Sequence, residues 1–380
     1  MGLRLFLEPL DVWLFRDGRP FTAGSDAMAR SRFPPTPYTL YGMLRSLLLF
    51  QAAAQGRVQD LGFGDQPELV AIVAGAPDDF GRLRLRGPWP ARVEKGTLVR
   101  YFPAPRDLVR CSSNGEPSAF ALLAPTRPAP LEATAAGSLQ PLWVRHPEPP
   151  QAAEEYVAEP DFWRYLAGQP VPAVEAGSLF IRERRPGLGI DRSTRTAAES
   201  LLYMVEYIRP RQDTGLAVDV LDGLEQVPPL VAFGGEARGS RCTTLPPATE
   251  QPPPGLREQV AASGRVKLVL ATPALFRRGW LPAWVDQVDQ ATLGTTDPYP
   301  RLRLVSAAVP RAEPIGGFDL VKRIPRPMRP AVPAGSVYFF EEDDPGAAVR
   351  AFDNWFGSCL SDDHAGIGFG LAYAGTWNYA

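Results

Sequence analysis

The side chains in this chain that could do chemistry are mostly guanidinium groups. Arg16 and Arg19 flank an Asp-Gly pair in FRDGRPF, and Arg45 follows on the next apolar segment. Arg182, Arg184, Arg185, Arg192 and Arg195 gather around PGLGIDRSTRT, and Arg238 and Arg241 lie in FGGEARGSR, just after Gly234 and Gly235. A guanidinium is planar, permanently charged and forked, which suits phosphate oxygens and stacking on bases. Neighbouring glycines let a backbone come close. Together they point to contact with an anion or a single-stranded RNA backbone. A third glycine set, Gly366, Gly368 and Gly370, resembles a GxGxG phosphate cradle. It follows a helical segment near the end of the sequence, whereas a dinucleotide fingerprint opens a helix after a strand, so dinucleotide binding is disfavoured. Each feature also has a plain reading. The last glycines suit a tight turn, 233–241 a solvated hairpin end, and the arginines from 182 a charged surface. Arg16, Arg19 and Arg45 have Asp11, Asp17 and Asp26 for partners.

Catalytic groupings are sparse. His146 sits in RHPEPP with no obvious partner. His364 beside Asp362 and Asp363 is the only arrangement suggestive of a general base or metal ligand. Glu154–Glu155 and Asp343–Asp344 are adjacent in sequence, so their side chains diverge. Cys111, Cys242 and Cys359 lie far apart, which argues against a disulfide framework or a cysteine zinc site. No GxSxG or HExxH occurs, and FGGEARGSR lacks the Lys-Ser/Thr pair of a P-loop. The expectation is no catalytic residue, no metal and no cofactor.

The elements that must position these groups come from an unusual composition. Of 380 residues, 42 are Pro and 35 Gly, which rules out a helical bundle because both interrupt helices. Hydrophobic residues at 45% still suffice for packed cores. Forty basic against 42 acidic residues give a net charge of −2, so this is no blanket polycation. Only Lys95, Lys267 and Lys322 are lysines, a bias that a GC-rich genome would also produce. The opening segment carries acidic residues and no cleavage site, and no apolar run spans a bilayer, so a soluble, cytoplasmic protein is expected.

Leu3, Leu5 and Leu7 alternate with Arg4, Phe6 and Glu8 as in a strand, and an Asp-Gly turn follows. Thr39 can cap a helix from about Leu40 to Ala54, carried by Leu40, Met43, Leu44, Leu47 and Leu48. Strand, arginine loop and helix begin a βαβ unit. RLRLRGPW alternates as a strand. Residues 103–172 read as long Pro-rich loops with one short helix at EPDFWRYLAG. SLFIRERR, LLYMVEYIRP and TGLAVDVLDG read as paired strands, and PLVAFGGEARGSRC as a strand followed by a turn. RVKLVLATP, LRLVSAAV and SVYFFEE are further strands, AAVRAFDNWFGSCL a helix, and HAGIGFGLAYAGTW a glycine loop ending in a strand. These elements suggest two α+β domains, at 1–170 and 171–380.

In order, FLEPLDVWLFRDGRPFTAG, FPPTPYTLYGMLRS, GIDRSTRTAAESLLY, FGGEARGSR and GIGFGLAYAGTW resemble the third Cmr subunit family of type III-B CRISPR effector complexes, RAMP-superfamily proteins. The series touches both ends and the middle of the chain. The stretch 103–172 carries no matching motif, and Ala27 departs from a histidine expected after Asp26. The resemblance implies an α+β chain of two ferredoxin-like (RRM-like) domains with long Pro/Gly-rich loops and insertions. It implies a non-catalytic subunit that grips the 5′ handle of the crRNA. Such a subunit docks on the large palm-domain subunit and the backbone RAMP subunit, and meets target RNA only indirectly. It places Gly366, Gly368 and Gly370 by the RNA groove, and Arg192 and Arg195 on a hairpin-like projection. Arg16, Arg19, Arg45, Arg238 and Arg241 would neutralise phosphates, while Gly234 and Gly235 approach the strand. Three rivals stay open: a repeat-RNA endoribonuclease using His364, the equivalent type III-A subunit, and a small-molecule enzyme with the glycine loop as a nucleotide site.

Overall fold

The computed structural model describes residues 2–18, 28–55, 80–112, 119–126, 139–153, 155–190, 193–194, 196–247, 250–288, 292–319 and 324–380. Arg19, Arg192 and Arg195 lie outside them, as does Asp26. Two compact units emerge from the packing. Residues 1–98, 176–248 and 314–329 form the first, and 99–175, 249–313 and 330–380 the second. The sequence reading cuts the chain once, near residue 170; the packing groups segments from both sides of that cut. The reason is long-range strand pairing, which a linear reading does not see.

In the first unit the strand Leu3–Pro9 lies between Thr214–Asp222 and Gly239–Leu245, antiparallel to both. Leu5 faces Val218 across one ladder, and Leu7 faces Cys242 across the other. Arg84–Glu94 continues the sheet beyond Thr214–Asp222, and the short edge strand Leu230–Ala232 pairs with Gly239–Leu245. Alternation suggests mixed burial for the first strand, yet Arg4, Leu5, Phe6 and Leu7 are all buried. Arg4 is accommodated because Asp219, its cross-strand partner, receives its Nε at 2.5 Å and Nη2 at 2.8 Å. A bidentate pair of this kind offsets the desolvation of both charges.

The helix runs over Pro37–Ala54, and Thr36, not Thr39, occupies the N-cap position. Proline at the first helical turn lacks only a donor that would be unsatisfied there anyway, so the Pro-rich approach is part of the helix. Leu40, Met43, Leu44 and Leu49 form its buried face, while Leu47 and Leu48 are only half-buried.

A long hairpin completes this unit. Phe180–Ile190 pairs with Ala197–Pro210, from Phe180 opposite Pro210 to Leu188 opposite Leu202 and Ile190 opposite Ala197. Met28–Ala29 adds in parallel beside Met204 and Val205. The expected partner Thr214–Asp222 belongs instead to the sheet around Leu3–Pro9.

The second unit is built on one sheet ordered Val285–Gln287, Leu293–Thr295, Arg303–Ala308, Val337–Glu341, Arg265–Leu270, Leu371–Gly375, Ser358–Cys359. All three strands expected in this region fall side by side within it. Helix Pro345–Trp355 is capped by Asp344, whose carboxylate accepts the Gly346 N–H at 2.9 Å. Phe352 and Trp355 bury fully, each contributing about 1.5–3 kcal/mol. Within 103–172 the expected helix appears at Glu159–Leu166. Strands at Leu108–Cys111, Ala119–Leu122 and Tyr156–Ala158 replace the expected loops. At three or four residues these strands are too short to reveal a period. The described chain is thus a mixed α/β fold, rich in strands and with few helices. Among the described residues no helix is long and apolar enough to cross a membrane.

Candidate functional site

In the first unit an aromatic knot sets the position of the first arginine loop. Phe233 meets Phe15 at 5.0 Å and Trp13 at 6.0 Å between ring centres, and the Trp13 indole donates to Ser240 Oγ at 2.8 Å. Phe15–Asp17 and Arg30–Arg32 form a short ladder. In it the Asp17 amide donates to the Arg30 carbonyl and the Arg32 amide to the Phe15 carbonyl. Arg16 stands exposed on one strand of this ladder, and Arg30 stands exposed on the other. Arg30 escapes the sequence reading, although MARSRF is a short alternating segment with arginine at every second position. Arg45 is half-buried on helix Pro37–Ala54.

The FGGEARGSR segment serves the protein's own packing more than an open loop would. Gly234 has φ +81°, and a Cβ there would stand 2.7 Å from the Leu14 carbonyl oxygen. Gly235 donates its N–H to the same oxygen at 2.7 Å. The two glycines therefore bring the turn onto Leu14 and Phe15, a close approach between segments of the protein. Arg238 Nη2 donates to Glu236 at 2.6 Å, and its guanidinium lies 4.8 Å from the centre of the Tyr207 ring. That hydrogen bond is the main cause of its raised pKa. Arg241, read as a turn residue, sits within strand Gly239–Leu245, opposite Glu8 and Leu230. It is exposed and makes no ion pair among the described residues.

Around the hairpin root the arginines divide. Arg182 Nη1 donates to the Ser31 carbonyl and to Glu206, each at 2.6 Å. Arg185 and Arg209 share Glu183 and Asp11 between them. Toward the far end Leu188, Ile190 and Leu202 are exposed.

In the second unit, Gly368 and Gly370 are buried and Gly366 is half-buried. Gly370 donates to the Pro273 carbonyl at 2.7 Å and accepts from the Leu360 amide at 2.8 Å. Gly368 donates to Ala365 and accepts from Thr272 Oγ1 at 2.6 Å. The amides of Gly368 and Gly370 are thus used inside the fold. At Gly370, φ is +67° and a Cβ would lie 2.4 Å from the Ser361 nitrogen. Gly370→Ala is accordingly expected to cost about 1–3 kcal/mol in chemical denaturation, and an unchanged midpoint would contradict this packing.

Around the histidines the described hydrogen bonds are local or serve the turn. Asp362 accepts the amides of Arg277 at 2.8 Å and Ala283 at 3.0 Å, while Asp363 pairs with Arg277 at 2.8 Å. His364 has left-handed backbone and lies beside Phe369, 6.3 Å between ring centres. His146 Nδ1 accepts the Glu148 amide at 3.2 Å, a local turn bond. Among the described residues no group of three or more His, Cys, Asp or Glu could hold a metal. Burial pushes the Cys242 thiol up to about 11, the opposite of an activated nucleophile.

The family model described as CRISPR-associated protein (Cas_Cmr3) matches residues 5–377. No curated protein matches the chain. Three solved structures are similar at low identity. A chain of the type III-B Cmr-beta complex bound to cognate target RNA and AMPPnP is 16% identical with TM-score 0.48, over 88% of this chain and 86% of that one. A chain of the Csm1–Csm4 cassette in complex with pppApA is 14% identical with TM-score 0.32, over 91% and 88%. One of the Csm3–Csm4 subcomplex of the type III-A interference complex is 10% identical with TM-score 0.32, over 90% and 92%. The family match, not these distant likenesses, carries weight.

Proposed function

The chain belongs to the Cas_Cmr3 family of CRISPR-associated proteins, and from that premise we propose that it is a non-catalytic, RNA-binding subunit of a type III-B RNA-guided interference complex. In this reading it grips the repeat-derived 5′ handle of the crRNA and docks on the large palm-domain subunit and the first backbone subunit, in the cytoplasm. Each unit would be a ferredoxin-like domain. Strand order supports this, since in both units the four main strands lie second, third, first, fourth with antiparallel neighbours. In the first unit these are Arg84–Glu94, Thr214–Asp222, Leu3–Pro9 and Gly239–Leu245. In the second they are Arg303–Ala308, Val337–Glu341, Arg265–Leu270 and Leu371–Gly375.

The observation that carries the RNA-binding reading is the pair Arg30, just after strand Met28–Ala29, and Arg241, on strand Gly239–Leu245, both exposed and in no ion pair among the described residues. Arg16 and Arg45 would join them, together with Arg19, Arg192 and Arg195. Gly234, Gly235, Gly368 and Gly370 shape the loops that would lie beside the RNA, and Gly366 would approach the strand with them. An arginine that neutralises a single-strand phosphate releases about 0.7 of a counterion. Arg30→Gln and Arg241→Gln are each expected to weaken handle-RNA binding and to flatten the plot of log affinity against log salt by about 0.7. Wild-type affinity and slope in both variants would sink this assignment. Small RNAs that co-purify with the tagged chain from its native host should share one repeat-derived 5′ end; RNAs without a common end would remove the handle from the proposal.

A further inference from the structure

Three guanidiniums from three segments of the first unit converge on one half-exposed carboxylate. Asp11 receives Arg209 Nη2 at 2.8 Å and Arg185 Nη2 at 3.0 Å, and Arg238 Nη1 lies 3.9 Å away. Glu183 holds Arg185 and Arg209 at their Nε atoms, and Glu236 holds Arg238. The Tyr207 ring lies against two of the cations, its centre 5.2 Å from the Arg185 guanidinium and 4.8 Å from that of Arg238. The forks are thus aimed before any ligand arrives. Asp11 and Glu236 are the accessible carboxylates of the group, each with 46% of its side-chain exposure against 29% for Glu183, and of the three Asp11 alone lies within ion-pair reach of Arg185, Arg209 and Arg238.

We propose that Asp11 is a resident stand-in for a phosphodiester, occupying an anion site formed by Arg185, Arg209 and Arg238 that a phosphate of the bound RNA takes over by displacing it. The exchange conserves charge. Three arginines balance Asp11, Glu183 and Glu236, and a phosphodiester carries the same single negative charge as the carboxylate it replaces. Its two non-bridging oxygens match the same donors, and charge-assisted bidentate bonds from arginine favour that geometry. The resident pair is weak enough to yield, because ion pairs at this exposure contribute little. The device gives selectivity against stray single anions: a lone phosphate competes with a tethered carboxylate, whereas a polyanion already held at Arg30 and Arg241 presents its next phosphate at high effective concentration. The inference rests on the RNA-binding reading and adds to it a site that is closed until the strand is in place.

The test uses the full chain and fluorescein-labelled oligouridylate, an RNA without a handle, titrated over a range of salt concentrations. Asp11→Asn leaves the site without its competitor. It should bind severalfold more tightly at low salt, with a slope steeper by about 0.7. Asp353→Asn makes the same change in net charge in the second unit, where Asp353 pairs with Arg257 at similar exposure, and should leave binding unchanged. Arg238→Gln should weaken binding in the wild type and cancel most of the gain in the Asp11→Asn background. The proposal is overturned by equal tightening in Asp11→Asn and Asp353→Asn, by wild-type affinity in Asp11→Asn, or by a gain that survives Arg238→Gln. A failure of the handle reading looks different: handle RNA and oligouridylate would then bind alike, whatever Asp11 does.

Discussion

Lys267→Met is expected to destabilise the second unit by about 3–5 kcal/mol, the usual cost of leaving one buried charge without its partner. Lys267 lies in strand Arg265–Leu270, opposite Phe339 on one side and Gly375 on the other. Its ammonium has no access to solvent and rests 3.5 Å from Asp107 Oδ2 and 3.6 Å from the centre of the Tyr165 ring. The Tyr165 hydroxyl donates to the other Asp107 oxygen at 2.6 Å. Removing the ammonium strands the carboxylate, with one phenol left to stabilise it. Neutralising Asp107 as well removes the stranded charge, so Lys267→Met/Asp107→Asn should recover at least half of the loss. Urea denaturation of the wild type, both single variants and the double variant measures the coupling. A double variant as unstable as the sum of the singles would show that the pair contributes nothing as a pair.

The same lysine sets a pH dependence. Burial lowers its pKa, and Asp107 only partly restores it. In the window below the ordinary lysine value of 10.5, the unfolded chain keeps a proton that the folded chain has released. Stability contributed by this group therefore rises with pH through that window and is lowest where the folded lysine is charged. The limb should vanish in Lys267→Met.

Lys267 also shows where sequence reading stops. RVKLVLATP is legible as a strand from its β-branched and apolar run, and it is one. That the lysine in its middle is buried is not legible there, because nothing local announces Asp107 and Tyr165, which come from distant segments of the second unit. The first unit repeats the lesson. The period of Leu3–Glu8 and the spacing of Leu40, Met43 and Leu44 are local properties, and both elements appear as expected. Which strands flank Leu3–Pro9 is not local, so the interleaving of the two units was out of reach.

The arginines divide along the same line. Arg238 looks available in FGGEARGSR because Glu236 is visible but Tyr207 and Asp11 are not. Arg241 keeps its exposure because it lies on a strand face and not in the turn. Glycine is ambiguous for a physical reason: its missing Cβ serves a foreign strand and the protein's own backbone equally well. At Gly234 and Gly370 the nearest atoms belong to Leu14 and Ser361, so the second use applies.

Arg100→Gln is expected to be comparably severe, again about 3–5 kcal/mol, or a fall on the order of 10 °C in melting temperature for a unit of this size. The Arg100 side chain is 2% exposed and binds two acids at once, Glu159 at 2.7 Å and Glu250 at 2.5 Å. Its guanidinium also lies 5.3 Å from the centre of the Phe102 ring, and the Tyr373 hydroxyl donates to Glu250 at 3.2 Å. One cation thereby ties strand Thr97–Pro103 to the first turn of helix Glu159–Leu166, to the segment at Glu250 and to strand Leu371–Gly375. Glutamine would leave two carboxylates facing each other, with Glu250 only 5% exposed. Lysine keeps the charge but is a point donor and cannot reach both acids as a fork does, so Arg100→Lys should recover only a minor part. The cluster holds one negative charge more than it has positive, so Glu250→Gln removes a surplus charge and should cost less than a third of Arg100→Gln. Melting curves of the three variants decide between charge balance and geometry. Equal losses in Arg100→Gln and Glu250→Gln would refute the charge-balance account, and full rescue by lysine would refute the need for the fork.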